Sequence, residues 1–474
     1  MDSEKKRSIL IVDLRKGLRR IGILALMVLP LLVTLAGGCA GNKGPDDISA
    51  AKWEFYNERV EAFVEAMAAG DFNTAAKMFD ATMKRALPAT TLQNEIWSLI
   101  LRDAGAFVAI NKIRNALIDG YYVCYVTSKH EISGVTLRVV FSEDGLVAGF
   151  YIDGYPTIAE DVVQREGFVD YAIVVGEGTE FPLEGILSIP DDVDGPVPAV
   201  VIVHGSGQQD MDLTMYINKP YRDIAEYLAS NGIAVIRYNK RTFVHGAKYE
   251  GSWTVWEETI EDAILAAEML KADPRIDENR VFMIGHSLGG SLAPRIHALG
   301  GDFAGLIILA GSPRFLLDLS KDQNIALIEE SKEGEEREAA LAELYEFWDT
   351  QILELLSLPD AVAKNSYIDS GTSAYYFKDL YNNPITAYLE SAKIPMLIMQ
   401  GSKDMQVMPD VDFALYQEVL ASRTDVTFKL YEGLNHLFMT SLIGTFTGIL
   451  DEYQIAGRVD DQFLADIAQW VKAH

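Results

Sequence analysis

Apolar residues follow first a helical and then a strand-like spacing between residues 50 and 155. Helices are predicted over residues 53–68, from residue 72 and over 92–101, because apolar positions recur there every three or four residues. Strands are predicted over 107–113, 121–128, 135–141 and 146–152, and the segment 142–145 is typical of a hairpin turn. Helices followed by a meander predict a small α+β domain.

Strands and helices alternate from about residue 165 to the end of the chain. The run Ala199-Val200-Val201-Ile202-Val203 is apolar throughout, which is typical of a parallel strand covered on both faces. Strands are predicted over 171–176, 183–190, 198–204, 233–238, 281–284, 305–310, 395–400 and 426–431, with helices over 221–231, 257–271 and 287–299. The alternation predicts an α/β fold with a doubly wound, mostly parallel sheet in a second domain over residues 165–474.

Residues 313–391 interrupt this alternation with a long, charged and helix-prone segment. An insertion between two strands of the sheet is expected to lie over the strand ends as a helical cap. Aromatic residues are frequent in its second half, at Tyr367, Tyr375, Tyr376, Phe377, Tyr381 and Tyr388. Two interpretations stay open, because these rings can line a substrate pocket or pack the core of the cap.

The first 38 residues have the pattern of a signal peptide. Seven basic residues precede an apolar run over 21–36, and Ala36-Gly37-Gly38 comes directly before Cys39. This ending resembles the lipobox of bacterial lipoproteins, with Ala36 where Leu is usual, and it implies acylation of Cys39 and a tether over residues 39–49. The alternative is an uncleaved membrane anchor. Both predict that the rest of the chain lies outside the cytoplasm, held at a bacterial membrane or secreted.

Charge and cysteine content narrow the possible functions. The net charge of −28 argues against nucleic-acid binding, which needs a basic surface. If Cys39 is acylated, Cys124 has no disulfide partner, and its apolar surroundings predict a small core residue.

The sequence contains no metal-binding or nucleotide-binding motif, so neither a metal nor a cofactor is predicted. The oligomeric state is left open.

The strongest candidate for chemistry is the segment 281–290, an apolar run followed by Gly285-His286-Ser287-Leu288-Gly289 and the start of a helix. It resembles the G-x-S-x-G turn of α/β-hydrolases in its strand–turn–helix setting. The resemblance extends over residues 165–474 and implies that Ser287 is the nucleophile. It also implies an oxyanion hole made by the N–H groups of Leu288 and of Ser206, in the loop His204-Gly205-Ser206-Gly207.

The family order places an acid and then a histidine after the nucleophile. Of the seven histidines, His436 is the one that follows a late strand in a Gly-containing loop, so it is the expected base. Asp404 follows the predicted strand 395–400 in a loop that matches the family's G-x-x-D pattern, and Asp318 is the alternative acid. His204 and His286 are interpreted as residues that shape their loops.

The loop 237–241 resembles the Asp-x-Arg loop of related hydrolases, but Asn239 replaces the acid and no chemistry is assigned to it. Together the loops are similar to those of bacterial carboxylesterases, which implies hydrolysis of small esters with short acyl chains through an acyl-enzyme. Acyl thioesterases and serine peptidases of the same fold stay open. A non-catalytic, surface-tethered binding lipoprotein is the alternative from another class.

The small domain has a resemblance of its own. Gly70-Asp71-Phe72 and the closing segment 145–150 are similar to the cone-shaped domains of the nuclear transport factor 2-like class, which precede some secreted bacterial hydrolases. The domain contains no convergent cluster of His, Asp and Glu in its sequence, so a binding or spacer role is expected.

Overall fold

The computed structural model describes residues 49–118, 121–156, 162–191, 193–246, 253–368 and 372–474. Contacts between residues divide the chain into two compact units. Within the described residues, the small unit comprises 49–156 and 214–218, and the larger unit comprises 162–213 and 219–474. The predicted signal segment 1–38, Cys39 and nearly all of the tether 39–49 lie outside the described residues. Over the ranges given above, no helix is both long and apolar enough to cross a membrane.

The small unit consists of short helices and a four-stranded antiparallel sheet with the order β1-β2-β3-β4. In the strand Gly134–Phe141 every second residue from Val135 onward is buried, in the core that also holds residues of the helix Ala50–Ala68, as the period of two in a half-covered strand requires. Its strands are β1 (Phe107–Ile118), β2 (Tyr121–His130), β3 (Gly134–Phe141) and β4 (Val147–Gly154). Its helices are α1 (Ala50–Ala68), α2 (Phe72–Lys77), α3 (Ala81–Ala86), α4 (Ala89–Thr91) and α5 (Ser98–Ala104), with a π-helical stretch over Leu92–Trp97.

The larger unit is built on a nine-stranded sheet with the order β13-β12-β11-β10-β8-β9-β7-β6-β5. Strands β8 to β13 run parallel to one another, and β5, β6 and β7 extend the sheet in antiparallel pairs. Both faces of β8 are covered, because all seven of its residues are buried. The predicted doubly wound, mostly parallel sheet is confirmed. The strands are β5 (Val162–Gln164), β6 (Phe168–Val175), β7 (Leu183–Pro190), β8 (Val197–Val203), β9 (Ala234–Tyr238), β10 (Ile276–His286), β11 (Leu306–Leu309), β12 (Met396–Gly401) and β13 (Val426–Tyr431).

Helices connect the parallel strands, as a parallel sheet requires. Those outside the insertion are α6 (Pro220–Ser230), α7 (Arg241–His245), α8 (Glu261–Ala272), α9 (Leu288–Ile296), α16 (Ala414–Val419), α17 (Ile449–Gln454) and α18 (Asp461–Ala473). Shorter π-helical stretches lie at Trp256–Ile260, His297–Gly301 and Pro409–Phe413.

The insertion between β11 and β12 is helical. It contains α10 (Leu316–Ser331), α11 (Gly334–Glu346), α12 (Leu353–Leu356), α13 (Asp360–Ala363), α14 (Ala374–Asn382) and α15 (Ile385–Ser391), with a π-helical stretch at Phe347–Ile352. Two of its clustered aromatic residues, Tyr376 and Phe377, are buried, whereas Tyr367 and Tyr381 are about half exposed. Part of the aromatic set therefore packs the core, and a pocket-lining role for the others stays a prediction.

Candidate active site

Four loops at one edge of the larger sheet carry the predicted catalytic residues. Ser206 follows β8, Ser287 and Leu288 follow β10, Asp404 follows β12 and His436 follows β13. Because parallel strands present their carboxyl ends at the same edge, the topology gathers residues that are up to 230 positions apart in the chain.

Ser287 occupies a strained turn between β10 and α9. Its φ angle of 54° lies in the left-handed region, which a residue with a side chain rarely adopts. Its N–H donates to the carbonyl of Leu309 at 2.8 Å, which fixes the turn against β11. A Cβ atom on Gly289 would lie 2.5 Å from the carbonyl oxygen of His204, so glycine is required for the helix to approach the neighbouring strand this closely. The turn thereby presents Ser287, which is partly exposed, at the amino end of α9.

The two predicted oxyanion donors lie next to this turn. Leu288 is the first residue of α9, where N–H groups have no partner within the helix. A Cβ atom on Gly205 would lie 3.1 Å from Cβ of Ser287, so the loop after β8 passes directly against Ser287. Ser206 is the next residue in that loop and is 9% exposed. The loop therefore brings the Ser206 peptide into the immediate surroundings of Ser287.

The predicted acid and base are hydrogen-bonded to each other. Nδ1 of His436 lies 2.7 Å from Oδ2 of Asp404, and both side chains are buried. The carboxylate also accepts from the side chain of Gln400 and from the N–H groups of Gln406 and Val407 at 2.7–3.0 Å. Since a carboxylate only accepts, Nδ1 of His436 carries the proton of this bond, and Nε2 is left to take up or release a proton.

The alternative acid has a different environment. Asp318 lies in the first turn of α10 within the insertion, and its side chain is exposed to solvent. A carboxylate in water is a weaker orienting group than one that is buried and fully hydrogen-bonded. The geometry therefore favours Asp404 as the partner of the histidine.

The loop that carries His436 is held by a buried carboxylate and an amide. Glu452 accepts from the side chain of Asn435 at 2.8 Å and from the N–H of Ile443 at 2.8 Å. Asn435 in turn accepts from the N–H of Leu437 at 3.0 Å. These hydrogen bonds lie on both sides of His436 in the chain, so they fix the conformation of the loop that carries it.

A chain of hydrogen bonds through His286 joins the loop of His436 to the loop that follows β8. Nε2 of His286 lies 2.9 Å from the carbonyl oxygen of His436, so this nitrogen is the donor. Burial lowers the pKa of His286 to about 3, and the nearby His436 adds to this shift, so the ring is neutral. Nδ1 therefore accepts from the hydroxyl of Tyr221 at 3.1 Å, and that hydroxyl accepts from the N–H of Gly205 at 3.3 Å.

The side chain of His204 is packed among aromatic rings. Its ring packs edge-on against the rings of Tyr221 and Tyr238, with centroid distances of 5.6 and 5.2 Å. Burial lowers its pKa to about 3, and Lys240 acts in the same direction. These contacts agree with the interpretation of His204 as a residue that shapes its loop.

Sequence reasoning missed four residues that hold the catalytic loops, namely Tyr221, Lys240, Glu258 and Glu452. Each contacts a partner between 11 and 118 positions away in the chain. The loop after β9, which contains Lys240, resembles the Asp-x-Arg loop of related hydrolases, and its position at the carboxyl edge of the sheet was the available signal.

Comparison with known proteins identifies the family. The family described as "Serine aminopeptidase, S33" matches residues 195–331. The esterase EstD of Thermotoga maritima is 32% identical over 419 residues, which is 88% of this chain and 95% of that protein. The chain belongs to the esterase family of α/β-hydrolases. It is a carboxylic ester hydrolase.

Solved structures of other esterases resemble this esterase more distantly. Est1E from Butyrivibrio proteoclasticus has a TM-score of 0.39 and 15% identity, and the match covers 64% of this chain and 96% of that one. An esterase from Pyrococcus furiosus has a TM-score of 0.40 and 13% identity, covering 67% and 96%.

The small unit of the esterase matches a family of its own. Residues 60–150 match the family described as "Protein of unknown function (DUF3887)". The resemblance to the nuclear transport factor 2-like class stays a prediction.

Proposed function

We propose that Ser287, His436 and Asp404 form a catalytic triad that hydrolyses carboxylic esters through an acyl-enzyme. The observation that carries the proposal is the 2.7 Å hydrogen bond between Asp404 and His436. The main-chain carbonyl of His436 accepts a hydrogen bond from Nε2 of His286, the residue directly before Ser287. This bond connects the loop of the proposed base to the turn of the proposed nucleophile.

The reaction would proceed in two halves. Oγ of Ser287 attacks the ester carbonyl carbon while its proton passes to Nε2 of His436, and the N–H groups of Ser206 and Leu288 stabilise the oxyanion. The bond to the alcohol oxygen breaks, and the alcohol leaves with the proton from His436. Water then attacks the acyl-enzyme, with His436 as base, and releases the acid. Asp404 stabilises the imidazolium in both halves.

The proposed substrates are small esters with short acyl chains. Support comes from the similarity of the turn 285–289, the loop 204–207 and the loop 240–242 to the corresponding segments of bacterial carboxylesterases. A thioesterase or peptidase would use the same catalytic atoms, so the leaving group has to be varied in the test.

The experiment compares wild type with Ser287→Ala on p-nitrophenyl esters of two to twelve carbons, an acyl thioester and an amino-acid anilide. Wild type is expected to prefer the shortest esters, and Ser287→Ala should lose several orders of magnitude in kcat, about 10⁴-fold or more. Ser230→Ala, a change of an exposed serine at the end of α6, is the matched control and should behave as wild type. Equal hydrolysis by Ser287→Ala and wild type would contradict the triad. A higher kcat/KM for the thioester or anilide would contradict the substrate class.

We also propose that the enzyme acts outside the cytoplasm, tethered by an acylated Cys39. The support is the signal-like pattern of residues 1–39. The test is metabolic labelling with a palmitate analogue in a bacterial host. Wild type is expected to be labelled and to sediment with membranes, and Cys39→Ser is expected to lose the label. An unlabelled wild type that still sediments with membranes would instead support the uncleaved anchor.

A further inference from the structure

A buried lysine contacts the loop that forms the predicted oxyanion hole. Nζ of Lys240 donates to the carbonyl oxygen of Gly205 at 2.6 Å and to Oε1 of Glu258 at 2.5 Å. The lysine and the glutamate are 2% and 3% exposed. Neither residue belongs to the triad, and the sequence assigned no chemistry to the loop that contains Lys240. A buried ion pair is costly to desolvate, so its position next to the site needs an explanation.

The carbonyl of Gly205 and the N–H of Ser206 belong to one peptide unit. Since that unit is planar, a bond that fixes the direction of the carbonyl also fixes the direction of the N–H. An ammonium group on the carbonyl oxygen draws electron density from the nitrogen, which makes the N–H a stronger donor. The same positive charge favours a negative charge on the far side of the peptide, in surroundings that exclude water.

Buried side chains form hydrogen bonds with both main-chain polar groups of Gly205, its N–H and its carbonyl. Its N–H donates to the hydroxyl of Tyr221 at 3.3 Å, and its carbonyl accepts from Lys240. Because both partners are buried, rotation of the Gly205–Ser206 peptide would break a hydrogen bond without water to replace it.

A residue of the helical insertion forms a hydrogen bond with Glu258, the partner of Lys240. The hydroxyl of Tyr376, in α14, donates to Oε2 of Glu258 at 2.5 Å. The ring of Tyr376 is packed edge-on against Trp253, with centroids 5.2 Å apart. Tyr376 therefore fixes the carboxylate that fixes Lys240, and a residue of the insertion is connected to the oxyanion loop through two charged groups.

We propose that Lys240 is a positioning residue for catalysis, which orients and polarises the Gly205–Ser206 peptide so that its N–H stabilises the oxyanion, and that Glu258 and Tyr376 hold it in place. The proposal rests on the proposed function, because it needs an oxyanion at Ser287. It gives Tyr376, a residue of the insertion, a part in positioning the oxyanion loop.

The test compares Lys240→Met/Glu258→Gln, Tyr376→Phe and wild type with p-nitrophenyl acetate. The double variant removes both buried charges at similar volume, so it avoids the unpaired carboxylate that Lys240→Met alone would leave. Its kcat is expected to fall about tenfold to a hundredfold, less than or equal to the loss of one oxyanion donor, with KM changed little. Tyr376→Phe keeps the ion pair and should lower kcat about threefold, the equivalent of one modest hydrogen bond.

A trifluoromethyl ketone provides the readout that a purely structural ion pair would not change. Ser287 adds to this ketone and forms a tetrahedral oxyanion, so its affinity should fall in the double variant by the same factor as kcat/KM. Lys271→Met is the matched control. Lys271 also donates to a main-chain carbonyl, that of Asp302 at 2.7 Å, but at the opposite end of α9, and its loss should leave kcat and inhibitor affinity unchanged.

Two results separate this proposal from the triad. If Ser287→Ala abolishes activity while the folded double variant keeps wild-type kcat and inhibitor affinity, the positioning role of Lys240 is wrong and the triad stands. If Ser287→Ala keeps its activity, the triad itself is wrong. Should the double variant fail to fold, an unchanged kcat in folded Tyr376→Phe would overturn the proposal.

Discussion

The small unit and the larger unit bury similar apolar side chains but very different polar ones. Within the described residues 49–156 of the small unit, the buried polar residues are Ser128 and His130, and Oγ of Ser128 lies 3.1 Å from Nε2 of His130. His130 also bonds to the carbonyl of Gly105 at 3.0 Å, so this pair is satisfied inside its own core. The larger unit buries many charged side chains, and among them Lys240, Glu258, Asp404 and Glu452 form the hydrogen bonds described above around the predicted site.

This difference indicates where catalysis is organised. Burying a polar group costs free energy that hydrogen bonds only offset, so a fold without a chemical task keeps few of them. The esterase unit keeps many, and Lys240, His286 and Glu452 are among those that bond to the loops of Ser206 and His436. We therefore expect substitutions of buried polar groups to change kcat in the larger unit and only stability in the small unit.

The largest effect is expected from Asp404→Asn. An amide in place of the carboxylate favours the wrong tautomer of His436 and cannot stabilise its charged form, so kcat should fall about 10⁴-fold. The measurement is kcat on p-nitrophenyl acetate, with thermal unfolding to show that the variant is folded. His130→Gln, which changes the buried histidine of the small unit, is the control. A folded Asp404→Asn with more than a tenth of wild-type activity would contradict the assignment of the acid.

A pH effect on stability is expected next. His204 and His286 have pKa values lowered to about 3 by burial, against about 6.5 in an unfolded chain. Between these values the unfolded chain binds more protons, so this stability is complete above pH 6.5 and is lost as the pH falls towards 3. Each histidine contributes up to about 1.4 kcal/mol per pH unit in that range.

The free energy of unfolding by urea at pH 7.5 and pH 5.0 measures this contribution. The difference between the two pH values should be about 2 kcal/mol smaller in His286→Gln than in wild type, because the variant lacks one such group. An identical pH dependence in both proteins would show that His286 is not held neutral by burial.

Tyr221→Phe should have a smaller effect, on both kcat and stability. The change leaves the N–H of Gly205 and Nδ1 of His286 without their shared partner. We expect kcat to fall about tenfold and the unfolding free energy to fall by about 1–3 kcal/mol. Steady-state kinetics and urea unfolding measure the two quantities. Wild-type kcat in this variant would mean that the chain through His286 does not position the loops.

The smallest effect on catalysis is expected from Cys124→Ser in the small unit. Cys124 is fully buried, and burial raises the pKa of its thiol to about 12, so it is a neutral core group. A buried hydroxyl without a partner should lower the unfolding free energy by about 1–3 kcal/mol, with kcat unchanged. A large loss of kcat in folded Cys124→Ser would end the division of roles between the two units.

Local pattern was sufficient for most of the elements, and it also selected Ser287, Asp404 and His436, the residues of the proposed triad. The apolar run before Ser287 and the late strand before His436 are continuous signals, and the strand predicted over 426–431 is observed with these bounds. Strand β1 extends five residues beyond its prediction, through the polar residues Asn115 and Arg114, because pairing with β2 continues there. The pattern of apolar residues does not show that pairing.

The supporting network could not be predicted from the same pattern. Tyr376 and Glu258 are 118 positions apart, and Glu258 looks like an ordinary solvated residue at the start of a helix. Their contact depends on how the insertion folds against the sheet edge. Likewise, the bond between His286 and the His436 carbonyl spans 150 positions and follows only from the order of the strands.

The most direct test of Ser287 as the nucleophile is covalent labelling with a fluorophosphonate, followed by mass spectrometry of the intact protein and its peptides. This role predicts a single label per chain, located on Ser287, with loss of esterase activity in proportion to labelling and no label in Ser287→Ala. Full esterase activity in a fully labelled protein, or a label on another residue that accounts for the loss of activity, would contradict it. A protein that takes no label and hydrolyses no ester would favour a non-catalytic binding lipoprotein.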